Sequence, residues 1–156
     1  MSVNHIAKWG GGGWSSLGTG IGDIVHSLTC DGAGNTYAGG LFTTAGGGAV
    51  ANIAKWNGVS WSALGSGVGN RVRALACDGF GNLYVGGEFN TAGGVSANHI
   101  AKWNMNGSSW SALGTGIDSN VYTLACDSAG NLYTGGYFTT AGDVPVNNIA
   151  KWGKKL

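Results

Sequence analysis

Four copies of the string Ile-Ala-Lys-Trp divide the chain into repeats. The spacings between successive copies are 47, 47 and 49 residues, and one cysteine per repeat follows the same register. A period in this range is typical of proteins in which each repeat is one supersecondary unit that buries its apolar faces against its neighbours. The tryptophans that end the copies are Trp9, Trp56, Trp103 and Trp152, and the cysteines are Cys30, Cys77 and Cys126. This periodicity predicts a repeat fold.

Each repeat contains four short segments with the composition of β-strands, which we name A to D. In the middle copy they cover residues 72–78, 82–89, 98–103 and 109–113. The segments are rich in β-branched and aromatic residues and are bounded by glycine or asparagine, as strands and tight turns are. Along residues 1–156 the order is C-D, A-B-C-D, A-B-C-D and A-B-C. We therefore predict a single repeat domain with an all-β fold.

A period of about 40 to 50 residues with four antiparallel strands is typical of one blade of a β-propeller. The repeated motifs are Leu-Gly-Thr/Ser-Gly, then Val-x-x-Leu-Ala-Cys-Asp-x-x-Gly-Asn-Leu-Tyr-x-Gly-Gly-x-Phe, then Ile-Ala-Lys-Trp. Over essentially the whole chain, these motifs resemble the bacterial kelch-like, galactose-oxidase-type propeller repeats. The resemblance implies a fold rather than an activity, because propellers of this kind are functionally diverse.

The three A-B pairs correspond to three blades, whereas closed propellers have about four to eight. An open stack of blades would leave strand edges and apolar faces exposed, which favours association. We therefore predict a homodimer that closes a ring of six blades. A trimer with nine blades and a fragment of a longer protein are the alternatives. One of the two terminal C segments, 5–9 or 148–152, is surplus at the junction, and the sequence does not decide which one.

The composition excludes several classes of protein. Glycine contributes 32 residues without a three-residue period and there is one proline, which is unlike collagen; the many aromatic residues are unlike a disordered chain. We expect the glycines to mark turns. The net charge of +1 predicts neither a nucleic-acid partner nor a membrane partner, and no apolar run reaches the roughly 20 residues of a membrane span. We predict no signal peptide, and the compartment stays open.

The repeated cysteines, aspartates and tryptophans are expected to be structural. A spacing of about 10 Å between neighbouring A strands would keep the cysteines too far apart for disulfides, so we expect buried free thiols. One aspartate opens each A-to-B turn, and a single carboxylate per turn is too few for calcium. The tryptophans are expected to pack between blades, with a sugar-stacking platform as the alternative. We predict no metal and no cofactor.

Positions that differ between otherwise similar repeats are the candidate ligand-binding residues. One set lies at the start of segment A and another at the end of segment B, and antiparallel order places both on the face that carries the longer B-to-C and D-to-A connections. Loops on a rigid scaffold often carry binding. We therefore predict a binding surface on this loop face, near the channel mouth, with neutral drift of exposed positions as the alternative. The candidate residues are His26, Arg73, Tyr122, Glu88, Tyr137, Asn90 and Asp143.

No catalytic set can be assembled from the seven carboxylates and three histidines, because no motif places them together. We therefore predict a non-enzymatic binding or scaffold module. The alternative is a carbohydrate-binding, lectin-like propeller with repeated shallow sites. An oxidase or lyase would need a metal or a tyrosine–histidine cluster, which the sequence does not show.

Overall fold

A computed structural model describes residues 3–153, which form β-strands joined by turns. The first strands are β1 (Ala7–Gly10) and β2 (Gly13–Ser16). The first blade contains β3 (Ile24–Cys30), β4 (Thr36–Leu41), β5 (Thr44–Ala45), β6 (Gly48–Ala49), β7 (Ile53–Trp56) and β8 (Trp61–Ala63). The second contains β9 (Val72–Cys77), β10 (Asn82–Gly87), β11 (Thr91–Ala92), β12 (Val95–Ser96), β13 (Ile100–Asn104) and β14 (Ser109–Ala112). The third contains β15 (Val121–Cys126), β16 (Leu132–Gly136), β17 (Thr140–Ala141), β18 (Val144–Pro145) and β19 (Ile149–Trp152).

The first two blades are four-stranded antiparallel sheets with the orders β3-β4-β7-β8 and β9-β10-β13-β14. The third blade has three strands, β15-β16-β19, and β1 pairs with β2. These strands correspond to segments A to D, so the predicted all-β fold with propeller blades is confirmed. The B-to-C connections, expected only as loops, also pair as the short hairpins β5–β6, β11–β12 and β17–β18. In the described part of the chain, no helix has the length and apolar character needed to cross a membrane.

A β-bulge lies near the start of the A strand of each blade, which we call the inner strand; these strands are β3, β9 and β15. In β9, Arg73 is the extra residue, and its two neighbours face the consecutive Gly86 and Gly87 of β10. A Cβ on Gly87 would lie 2.2 Å from the carbonyl oxygen of Arg71, and a Cβ on Gly86 would lie 2.4 Å from Cγ1 of Val121 in the next blade. The Gly-Gly pairs therefore lie inside strands at points of close approach, so the expectation that glycines mark turns is wrong for them.

Neighbouring blades are joined both by the D-to-A connections and by their inner strands. Between the first two blades, the Val68 N–H donates to the Ala51 carbonyl at 3.1 Å. The inner strands touch directly, since the Leu75 N–H donates to Ser27 Oγ at 3.1 Å. The expected spacing of about 10 Å between inner strands is therefore too large at this point, because the strands converge towards the axis of the array.

The apolar core lies between blades. Tyr37 and Ile53 of the first blade pack with Val72 and Leu83 of the second in one buried cluster. A corresponding cluster joins the second blade to the third. Because burial of apolar surface contributes about 25 cal/mol per Å², each blade is stabilised chiefly by the blade beside it.

The three cysteines are free, as predicted, but they are not equally buried. Cys77 and Cys126 are partly buried, whereas Cys30 is exposed. Cys30 ends β3, the inner strand of the first blade, which has a neighbouring inner strand on one side only. The expectation of burial is therefore wrong for Cys30, because burial depends on the position of the blade in the array.

Candidate functional site

The three bulge residues form a row across the starts of the inner strands, which we call the bulge row. Its members are His26, Arg73 and Tyr122, one from each blade. A bulge takes its extra residue out of the strand pairing and re-aims the side chain. All three residues were candidate ligand-binding residues in the sequence, and the structure places them at equivalent positions on the loop face.

Arg73 is the centre of this row. Its Nε donates to Glu88 Oε1 at 2.7 Å, and its Nη2 lies 2.5 Å from the same oxygen. The other carboxylate oxygen of Glu88 lies 3.6 Å from Nη1 of Arg71. Cζ of Arg73 is also 5.8 Å from the centroid of the Tyr122 ring, within cation–π range. Two arginines therefore share one carboxylate, next to an aromatic ring.

The charges of this cluster shift two pKa values. Partial burial acts to raise the pKa of Glu88, but the hydrogen bond from Arg73 and the charges of both arginines outweigh it and hold that pKa below 4.5. Burial lowers the pKa of His26 below 6.5, and the charges of Arg73 and Arg71 lower it further, while Glu88 opposes them. At pH 7, His26 is therefore mainly neutral and Glu88 is ionised.

The remaining three candidates lie in the adjoining loops. Tyr137 occupies the position of Glu88 in the third blade, and its side chain is exposed. Asn90 lines a cleft of about 340 Å³ between the second and third blades. Asp143 is exposed in the turn between β17 and β18. The structure thus groups four of the seven candidates, and ligand binding by any of the seven stays a prediction.

Asp118 is a candidate that the sequence comparison overlooked. Its Oδ1 accepts the N–H groups of Thr139 and Thr140 at 3.0 Å each, and its Oδ2 accepts the Thr139 hydroxyl at 2.7 Å. These bonds, first that from the Thr140 N–H, lower the pKa of Asp118 to about 2. The equivalent residues at the other junctions are Gly22 and Gly69, so the available signal was a carboxylate in place of a repeated glycine.

Arg71 is the second overlooked candidate. It stands where the other repeats have Ile24 and Asn120, so the same comparison, extended by two residues towards the N-terminus, would have found it. Its Nε is buried without a hydrogen-bond partner among residues 3–153. Arg71 therefore adds both a charge and an unsatisfied donor to the bulge row.

The opposite face carries a cleft of about 520 Å³ between the A-to-B turns of the first two blades. In the first turn, Asp31 Oδ1 accepts two backbone N–H groups at 2.9 Å, and its Oδ2 accepts the Asn35 side-chain amide at 2.7 Å. Asp78 and Asp127 repeat this pattern, so the prediction that these aspartates hold their own turns is confirmed. Within the described ranges, no three His, Cys, Asp or Glu side chains are grouped to hold a metal ion.

The tryptophans were predicted to pack between blades, and Trp56, Trp61, Trp103 and Trp110 do pack in the clusters that join neighbouring units. The prediction is wrong for three others at the two ends of the array, which are exposed: Trp9, Trp14 and Trp152. Trp56 and Trp61 face each other across β7 and β8 with ring centroids 5.4 Å apart. The Trp61 indole N–H donates to the Leu17 carbonyl of the preceding D-to-A connection at 2.8 Å. The Trp110 indole makes the equivalent bond to the Leu64 carbonyl, also at 2.8 Å. These indoles therefore link the first and second blades to the D-to-A connection that precedes each of them.

The four-stranded sheets, the inner-strand bulges and the core between blades define a protein built from β-propeller repeats. A family described as a domain of unknown function (DUF5122) beta-propeller matches residues 81–109, from the A-to-B turn of the second blade to the first residue of β14. This match covers less than a fifth of the chain. It supports a β-propeller repeat family in general and does not single out the kelch-like type. No curated protein is significantly similar to the chain.

Proposed function

We propose that the chain is a non-enzymatic binding or scaffold module that acts as a closed ring of two copies with six blades. The β-propeller fold supports a binding or scaffold role, since propellers present loops on a rigid ring. The observation that carries the closure is an indole–carbonyl hydrogen bond. The first and second blades each make this bond to the D-to-A connection before them, whereas the third blade lacks the D strand that would carry the donor.

In the first and second blades, the D-strand tryptophan donates its indole N–H to the leucine carbonyl of the D-to-A connection that precedes the blade. Leu113 is the third equivalent acceptor, and Trp14 is the third equivalent donor. In the part of the chain that the structure describes, Leu113 receives no indole N–H, and Trp14 is 63% exposed. Trp14 of one copy therefore fits Leu113 of the other.

The two terminal faces are the side of the first blade that carries Leu28 and the side of the third blade that carries Tyr133. Both have the residue types found at the junctions between blades. Leu75, at the internal face of the second blade, is 7% exposed, whereas the equivalent Leu28 of the first blade is 51% exposed. On the other face of the blades, Tyr84 is 5% exposed and the equivalent Tyr133 of the third blade is 38% exposed. Contact between the first blade of one copy and the third blade of the other would bury both, and such a head-to-tail contact forms a ring when the rotation closes.

In the ring, β2 of the partner supplies the D strand that the third blade lacks. Within one chain, β19 pairs with β16, and β1 pairs with β2. The completed blade needs one C strand, so either β1 or β19 is released at each of the two junctions. Either arrangement gives three blades per chain.

Sedimentation equilibrium of the Leu28→Asp variant tests this closure. A carboxylate at this position would be buried against the third blade of the partner, so we expect a dimeric wild type and a monomeric variant. Val59→Asp is the matched control, because Val59 lies exposed in the C-to-D turn of the same blade, and it should stay dimeric. Circular dichroism verifies that both variants are folded. A Leu28→Asp protein with the mass of the wild type would show that this face does not close the ring.

A carbohydrate-binding propeller is the second candidate. Shallow clefts of about 370 and 340 Å³ recur on the loop face at two junctions. Equivalent side chains line both clefts: Asn4, Thr19 and Thr44 in one, and Asn98, Thr115 and Thr140 in the other. Amide and hydroxyl groups suit the hydroxyls of sugars. Related glycans bound on an array with multivalent avidity would support this function, whereas a blank array would contradict it.

A further inference from the structure

The bulge row and Arg71 carry more positive charge than their neighbours neutralise. Two guanidinium nitrogens of Arg73 contact one carboxylate oxygen of Glu88. Nη1 of Arg71 lies 3.6 Å from the other oxygen, which is beyond hydrogen-bond distance. Among residues 3–153, no second carboxylate forms an ion pair with either arginine. With His26 neutral, the cluster keeps one uncompensated positive charge.

Arg71 also has hydrogen-bonding capacity that the fold does not use. Its buried Nε has no partner in the described part of the chain, which costs free energy. The Arg71 side chain is 30% exposed, so part of it can be reached from solvent. A guanidinium held in this way favours an anionic oxygen, above all a carboxylate that it can bind with two parallel hydrogen bonds.

An aromatic surface lies beside the charge. The Tyr122 ring is exposed and contacts Arg73 from the next blade. The flat face of a tyrosine stacks on another ring, whether an aromatic ring or the C–H face of a sugar. Tyr122 contacts Arg73, and Arg73 shares Glu88 with Arg71, so the ring and the positive charge belong to one connected cluster. We expect a ligand with both a ring and a carboxylate to use both features, whereas a small inorganic anion uses only the charge.

We infer that the bulge row and Arg71 form a binding site for a small ligand in which a carboxylate is attached to a ring with an apolar face. This inference rests on the proposed binding function and gives its ligand class. Two sources have this chemistry: a uronic-acid sugar and an aromatic carboxylic acid. All the residues of the site belong to one chain, so the site does not depend on ring closure.

Calorimetry and NMR titration of the full chain test the inference with five ligands. Galacturonate and benzoate are the two carboxylates, galactose and benzyl alcohol are their neutral counterparts, and sulfate is the plain anion. We expect at least one carboxylate to bind and to shift the amide signals of His26, Arg73 and Tyr122, and the other three ligands to bind at least about tenfold more weakly. Binding of galacturonate alone supports the sugar source, and binding of benzoate alone supports the aromatic source.

Variants locate the site. Arg71→Gln should weaken carboxylate binding at least about tenfold, because it removes a charge-assisted hydrogen bond. Lys55→Gln is the matched control: it removes the same charge from the cleft on the opposite face and should keep the wild-type affinity. Tyr122→Leu should weaken binding several-fold by removing the stacking surface.

Four results would overturn the inference. They are no binding of either carboxylate, equal binding of sulfate, unchanged affinity in Arg71→Gln, and equal losses in Arg71→Gln and Lys55→Gln. The solution mass tests the proposed ring independently of these binding measurements. A ring that binds no carboxylate overturns this inference alone, and a monomer that binds one overturns only the closure.

Discussion

The internal junctions and the two terminal faces are built from the same repeat, yet the same residue positions are buried in one and exposed in the other. Ile100 is 3% exposed at the junction of the second and third blades, and Ile149, its equivalent in the third blade, is 66% exposed. The residue type is identical, so the difference comes from the neighbouring blade. The exposure of a side chain in this protein therefore depends on whether its blade has a neighbour on that side. The terminal faces have the apolar residues of a core, but no neighbouring blade covers them.

The largest expected effect is a steric loss of stability. It should differ between Gly86, which faces the next blade, and Gly135, its equivalent on the terminal face of the third blade. Gly86→Ala would place a Cβ 2.4 Å from Cγ1 of Val121, so we expect a loss of about 1–3 kcal/mol in the free energy of unfolding. In Gly135→Ala the new Cβ would meet the Thr123 methyl at 2.8 Å, which rotation of that side chain can relieve. We expect this variant mainly to weaken the dimer.

Urea denaturation at two protein concentrations measures both effects. The Gly86→Ala loss should be the same at both concentrations, and the Gly135→Ala loss should grow as the protein is diluted. Equal, concentration-independent losses in the two variants would mean that the face around Gly135 meets no partner.

The next effect concerns the indole–carbonyl bond. Trp110→Phe keeps a ring and removes the hydrogen bond to Leu64, so the free energy of unfolding should fall by about 1–1.5 kcal/mol. Trp14→Phe should leave the dissociated chain as stable as the wild type. Since the ring has two identical junctions, it should raise the dimer dissociation constant about a hundredfold, which corresponds to about 1.4 kcal/mol for each junction. Urea denaturation measures the first effect and sedimentation velocity the second. An unchanged dissociation constant would show that the Trp14 indole donates no bond to the partner.

A smaller effect concerns stability at acid pH. The junction of the second and third blades contains Asp118, where the junction of the first and second blades has Gly69, so only the former should be destabilised by acid through this carboxylate. The pKa of Asp118 is about 2 in the fold and about 3.8 without its partners, so its stabilising effect is present above about pH 4 and is lost as the pH falls through about 2. Asp118→Asn should therefore be less stable than the wild type at pH 5 to 7, with the difference vanishing near pH 2. NMR titration of the Asp118 carboxyl and thermal melts over this range are the measurements. A titration midpoint near 4 would contradict the hydrogen-bonding pattern.

The smallest effect is a difference in labelling rate among the cysteines. Burial raises the pKa of Cys77 and Cys126 to about 11, so both are protonated at pH 7.5 and react slowly with thiol reagents. The exposed Cys30 should react first, and its rate should fall several-fold as the protein is concentrated, because the partner then covers the inner strand β3. Mass spectrometry of peptides from the labelled protein gives the rates. A Cys30 rate independent of concentration would indicate that β3 stays uncovered.

Much of the fold could be predicted from the sequence, because local signals repeat along the chain. Strand segments, Asp-x-x-Gly-Asn turns and the period of about 47 residues each rest on residues close together in sequence, and they predicted the four-stranded blades. The sequence also identified His26, Arg73 and Tyr122 as residues that change between equivalent strand starts, but it did not predict that each is the extra residue of a bulge.

Other features depend on contacts between distant parts of the chain and could not be predicted. The Gly-Gly motif is required by a carbonyl of the paired strand and by a side chain of the next blade, such as Val121 against Gly86. The ion pair of Arg71 with Glu88 spans two strands, and the exposure of Cys30 depends on the neighbours of its blade. Residue types suggest such contacts only after the blades have been placed side by side.

Native mass spectrometry of the full chain at micromolar concentration tests the central claim most directly, namely that the two terminal faces cover each other in a closed ring. The account predicts one species of about 31 kDa, twice the mass of the 15.7 kDa chain, and its loss in Leu28→Asp. A single species of 15.7 kDa at every concentration would contradict it.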